Sequence, residues 1–232
     1  MNAINHAATA LLINRKWPGV PIIPVFISVQ VVEFLWVVLN IAGVEITNTE
    51  PVVRAVSDIH LTHMPYSHSV ATTALIALAV WWVVSKPFNK PVWGAALSAG
   101  VISHIILDLA THVQDIAISP WNDSTKLGLG LYDIPSLALF VETLYGVWCW
   151  WVFRGTRKLL ALIIVMNLAT LSFYSLALNG PEQFFAGRAQ LFAAFVGVHI
   201  MVALGGVGLL AHSSWRTSGS AKVSSYLLTE TR

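Results

Sequence analysis

The sequence predicts an all-α, polytopic transmembrane helical bundle of about six spans plus an N-terminal half-helix or interfacial helix. Three observations carry this. The chain is 56% hydrophobic and only 10% charged, whereas soluble domains carry about 25% charged residues. Its mean hydropathy is positive. Its apolar stretches reach the roughly 20 residues that a helix needs to cross about 30 Å of hydrocarbon.

The elements follow in order. Segment 2–14 is too short to cross and ends at Arg15 and Lys16. It reads either as a half-helix rising into the bundle or as a helix lying flat on the membrane. Its basic residues follow the apolar run, the wrong order for a cleaved signal peptide. Full spans are expected at 20–43, 67–85, 91–113, 134–153, 158–178 and 189–212. Pro65 cannot sit comfortably in a helix, so His60 and His63 belong to a loop while His68 opens the second span. Residues 1–212 are expected as one membrane domain, with the Ser/Thr-rich 213–232 as a flexible cytoplasmic tail.

Charge sets the expected orientation. Arg15, Lys16, Lys86, Lys90, Arg154, Arg157, Lys158, Arg216, Lys222 and Arg232 fall on one side, and only Arg54, Lys126 and Arg188 on the other. The positive-inside rule puts the first set, with the C-terminus, in the cytoplasm. Loops 44–66, 114–133 and 179–188 then face outward. The net charge of +2 is too small and dispersed for a nucleic-acid partner. The single cysteine, Cys149, excludes an intrachain disulfide and Cys-based metal binding.

Ionisable groups inside spans are costly and by default functional. His104, Asp108 and His112 recur at intervals of four, which places them on one helical face with about 40° of drift per step. Side chains one turn apart can reach one ion, so the spacing suits metal chelation; the competing reading is a His–carboxylate pair that joins helices. Ala96 and Gly100 continue that face with small residues that permit close helix approach. Glu33 and Glu142 lie in apolar spans without an opposite charge within one turn, so each needs a partner on another helix. Measured from the outer face at 1.5 Å per residue, His104 and Glu142 fall about 12 Å deep, Glu33 about 15 Å, Asp108 about 6 Å and His68 about 3 Å. A rising segment 2–14 brings His6 toward the same level, so these groups can share one cavity open to the outside. His199, Asn167, Thr170 and Tyr174 read as interhelical hydrogen-bonders. The glycine-rich run from Lys126 to Tyr132 lacks a phosphate-loop pattern and reads as an ordinary loop.

Together Glu33-Phe-Leu-Trp36, Pro65-Tyr-Ser-His68-Ser69, Ser103-His104 with Asp108, His112 and Asp115, and Lys126-Leu-Gly-Leu-Gly-Leu-Tyr132 resemble the YdjM-like, LexA-regulated family of bacterial inner-membrane metal-dependent hydrolases. The resemblance covers residues 1–153. It implies His6, Glu33, His68, His104 and Asp108 as metal ligands and a distant likeness to zinc-dependent phospholipase C. The chain departs from that pattern by carrying Glu33 where the family has Asp, and by lacking a PDxD-type signature near Pro24.

The expected function is a multi-pass inner-membrane, metal-dependent hydrolase acting on a lipid-like or phosphoester substrate, with membrane lipids as surroundings. His63 and His112 are secondary ligand candidates, and Glu142 or Asp115 is the candidate base or outer-shell group. All-N/O ligation favours zinc and allows manganese or iron. The alternatives are a transporter or ion relay built on the same buried groups, and a scaffold subunit in which they are only structural.

Overall fold

The computed structural model describes residues 1–175, 177–178 and 180–229, with the side chains of 122–124 and 212–229 outside the description. The fold is mostly helical. Seven α-helices are described: α1 (Ala3–Lys16), α2 (Ile22–Ile41), α3 (Val70–Ser85), α4 (Pro91–Thr111), α5 (Pro135–Phe153), α6 (Arg157–Leu168) and α7 (Ala189–Thr229). Four are long and apolar enough to cross a membrane, namely α2, α4, α5 and residues Ala189–Ala211 of α7. The other two expected spans correspond to shorter helices. Helix α3, with 16 residues, is about 24 Å long, and α6, with 12, about 18 Å.

Both shortenings have local causes. Helix α3 starts three residues late because Tyr66 and Ser67 donate their backbone N–H groups to Glu45 Oε1. Ser69 then caps the helix by accepting from Thr72 N. Helix α6 stops where polar side chains compete for its backbone. Asn167 Nδ2 donates to Ile163 O and Thr170 Oγ1 donates to Asn167 O. The chain then runs into two short 3-10 turns, Leu171–Tyr174 and Pro181–Phe185.

Helix α1 occupies the centre of the bundle. Residues Ala3 to Leu11, with Ile13 and Asn14, are buried, and α2, α4, α5, α6 and α7 all pack on it. That agrees with the half-helix and excludes the helix lying flat on the surface. Polar side chains in a helix so enclosed are costly unless partnered; Asn5 Nδ2 donates to Glu142 and Asn167, and Thr9 Oγ1 to the Asn5 carbonyl, while His6 Nδ1 is left without a hydrogen-bond partner. Close packing elsewhere needs glycine. A Cβ on Gly100 of α4 would run into Ser28 of α2, and one on Gly146 of α5 would lie 2.7 Å from both Asn5 Oδ1 and Ile163.

The outer loops contain short strands that periodicity did not reveal. Strands β1 (Ile46–Thr49) and β2 (Ile59–His63) form one antiparallel hairpin, and β3 (Ile116–Ser119) and β4 (Asn122–Leu127) another. They cap the same end of the bundle, the end away from Arg15, Lys86, Lys90 and Arg154. The glycine-rich run after β4 closes α4: Leu129 N donates to Leu109 O and Gly130 N to His112 O, both at 2.8 Å. A side chain at Gly128 would collide with the carbonyl of Val113. The run is thus a helix stop that carries Tyr132 into the interior. The expected flexible tail, 213–232, and His212 fall outside the residues whose side chains are described.

Candidate metal centre

Four donors from three parts of the chain converge below the hairpins. Glu33 projects from the middle of α2, His68 from the turn before α3, and His104 and Asp108 from successive turns of α4. Their ligand atoms all lie within 4.8 Å of one another. Glu33 Oε2 is 3.2 Å from His68 Nε2 and 3.3 Å from His104 Nε2. Asp108 Oδ2 is 3.0 Å from His104 Nε2 and 3.7 Å from His68 Nε2. His68, His104 and Asp108 are buried, and Glu33 is the partly open member.

The outer contacts decide what these atoms offer. His104 Nδ1 is 2.8 Å from the carbonyl of Val29, which can only accept, so Nδ1 carries the proton. On the other side, Ser67 Oγ donates to Glu45 Oε2 at 2.5 Å and accepts from His68 Nδ1 at 2.9 Å. With each Nδ1 bonded outward, it is Nε2 that both imidazoles turn toward the two carboxylates. Such fixing of the ring by a carbonyl or carboxylate is the usual setting of a metal-binding histidine. His104 Nε2 and Asp108 Oδ2 have no hydrogen-bond partner although both are fully buried. Two carboxylates this close call for positive charge among them, which protons on the Nε2 atoms or a bound cation can supply. The residues fit a divalent ion, and the N₂O₂ donor set admits zinc, manganese or iron.

The remaining expected site residues fall around this group. His6 stacks on His104 with ring centroids 4.0 Å apart, and its Nε2 is 3.2 Å from Asp108 Oδ1, the oxygen turned away from the four. The α-amino group of Met1 lies 2.7 Å from that same oxygen. His112 is the C-cap of α4, with Nδ1 3.3 Å from Asp115 Oδ1. Asp115 also accepts from Leu61 N, which fastens β2 to the end of α4. Glu142 is fully buried beneath the start of α1 and accepts from Asn2 N at 2.7 Å, Asn5 Nδ2 at 2.9 Å and the Tyr174 hydroxyl at 3.1 Å. Three donors commit it to holding α1. His63 ends β2 in an exposed position outside the group, and His60 pairs with Glu50 at the surface.

A cavity of about 150 Å³ opens onto the donors. Glu33, His68 and Asp108 line one side with His112 and Tyr132, while Trp36, Phe173, Phe192 and Phe195 form apolar wall. Burial, reinforced by nearby Glu142 and Tyr174, pushes the Tyr132 phenol well above its ordinary range, so it stays protonated. His199 of α7 also borders the cavity and meets Asn2 Oδ1 at 3.2 Å, in keeping with the interhelical role expected of it. No protein-family model, characterised protein or solved structure matches the chain.

Glu45, Ser67 and the Val29 carbonyl were not singled out by the sequence. Glu45 is one acid among several in an outer loop, and nothing in its spacing ties it to His68, 23 positions on. Ser67 carried a signal only through its place beside His68.

Proposed function

We propose that the protein is an integral membrane metal-dependent hydrolase of the bacterial inner membrane that cleaves a phosphoester or lipid-like substrate. The observation that supports it most directly is the convergence of two imidazole Nε2 atoms and two carboxylates, each imidazole fixed from behind. A divalent ion held by Glu33, His68, His104 and Asp108 would supply Lewis-acid chemistry and lower the pKa of water toward about 7. The chain itself does the rest. His6 steadies Asp108 through Oδ1. His112, backed by Asp115, borders the cavity in the position of a proton carrier, which gives Asp115 the outer-shell role and leaves Glu142 to structure. The protonated Tyr132 hydroxyl can donate to a substrate oxygen. The aromatic wall favours an amphiphile over a freely soluble phosphate ester.

The distribution of basic residues orients the cavity to the extracytoplasmic side and the C-terminus to the cytoplasm. The resemblance to YdjM-like hydrolases points the same way. Elemental analysis of detergent-purified protein tests the reading. One divalent ion per chain is expected, lost in His104→Ala with the bundle still folded. Protein that carries no metal and keeps its melting temperature in chelator would sink it and favour a purely structural ion-pair cluster.

A further inference from the structure

At the opposite end of the bundle, a separate cavity of about 540 Å³ lies between the foot of α1 and the foot of α5. Arg15 enters it from the last turn of α1, and Trp150, Trp151 and Arg154 from the end of α5. The two arginines come from distant parts of the sequence and are brought together only by the packing of the central helix. Among the described residues, Lys16 lies over the Trp17 ring and Lys90 over the Trp93 ring. By contrast, the guanidinium groups of Arg15 and Arg154 make no ion pair or hydrogen bond with any described residue. Loops 15–21, 86–90 and 154–158 contain no acidic residue. Arg154 adopts a left-handed backbone, φ 59°, with Gly155 immediately after it. Glycine would take that position with less strain. Arg157 and Lys158 add two cations in the first turn of α6, where the helix dipole already favours an anion.

We propose that this cavity binds the phosphate headgroup of an anionic phospholipid, gripped by Arg15 and Arg154. Trp151, 67% exposed, places its ring at the level where tryptophan anchors to the membrane interface. A basic pocket between helix ends at that level, with no carboxylate paired to its arginines among the described residues, has the chemistry of a lipid phosphate site. The site is remote from the metal centre, so the inference rests on the membrane reading and not on hydrolysis.

Native mass spectrometry of the full chain, released from nanodiscs containing equal phosphatidylglycerol and phosphatidylcholine, tests it. Extraction of the protein from membranes only by detergent checks the membrane reading separately. Phosphatidylglycerol is expected to be retained in preference. Each of Arg15→Gln and Arg154→Gln should lower that preference about fivefold and the pair roughly 30-fold, on the order expected for one basic residue near an anionic surface. Lys86→Gln with Lys90→Gln, equal in charge removed at the same end, should leave it unchanged. Equal losses in the two double variants would mean diffuse surface charge and overturn the proposal, as would a parent protein with no preference. Displacement of the lipid by millimolar inorganic phosphate would identify a free-phosphate site instead and overturn the lipid assignment. If the double variant does not fold, the single variants still decide.

Discussion

Removing one hydroxyl, in Ser67→Ala, tests whether the outer contacts set the chemistry of the centre. Ser67 Oγ links Glu45 Oε2 to His68 Nδ1. The variant deletes that link and nothing else in the cluster. Glu45 Oε1 still accepts from the backbone of Tyr66 and residue 67, at 2.9 and 2.8 Å, so the turn that delivers His68 keeps its anchor. His68 then loses the partner that fixes its tautomer, and its Nε2 no longer has a defined lone pair toward Glu33 and Asp108. Loss of such an outer partner typically costs about 10–100-fold in metal affinity, equivalent to about 1.4–2.8 kcal/mol. A water that fills the vacated space would bring the loss to the lower end. The assay is competition for zinc against a chelator of known affinity, with the melting temperature in detergent as the control for folding. Zinc affinity equal to the parent's in a folded Ser67→Ala protein would refute the reasoning. Destabilisation without any change in affinity would do so too, since it would make the triad a loop anchor alone.

Three further outcomes follow from the same geometry. Glu142→Gln puts an NH₂ among three donors in a buried site, so it should destabilise the fold by about 3 kcal/mol while leaving metal content at the parent level, as measured by thermal unfolding and elemental analysis. Gly128→Ala forces a Cβ into the Val113 carbonyl and should lower stability by roughly 1–3 kcal/mol; loss of protection of the Leu129 and Gly130 amides in hydrogen exchange would localise the effect. Stripping the protein with chelator and returning zinc at about 1,000 times its Kd should restore about 4 kcal/mol of stability, and a His68→Ala protein should show little of that recovery.

Much of the centre was legible in the chain because intramembrane polarity is rare and helical spacing is regular. His104 and Asp108 are one turn apart on α4, so local geometry alone puts them on one face. Glu33 stood out by lying in an apolar span without a neighbour of opposite charge. Rise per residue spread His68, Asp108, His104 and Glu33 over the outer half of the membrane, from about 3 to about 15 Å deep, a span that one cavity can cover. The fold was legible less evenly. The helices in two expected spans are only 16 and 12 residues long; hydropathy averages across residues that cap or break a helix, as Ser69, Asn167 and Thr170 do here. The two hairpins were missed because strands of four to six residues in polar loops carry too few side chains to display a period of two.

What the sequence determined by itself, then, is a mostly helical chain with spans apolar enough to cross a membrane, and a short set of residues too polar for their surroundings. Those properties are local, because they depend on composition and on the 3.6-residue turn. Tertiary structure alone decided which of the polar residues meet. It grouped Glu33 with His68, His104 and Asp108, drew His6 to the second oxygen of Asp108, tied Asp115 to His112, and gave Glu142 three donors from α1 and Tyr174. It also set Glu45 behind His68 through Ser67. Which lone pairs remain for an ion depends on those distant partners, and no spacing along the chain encodes them.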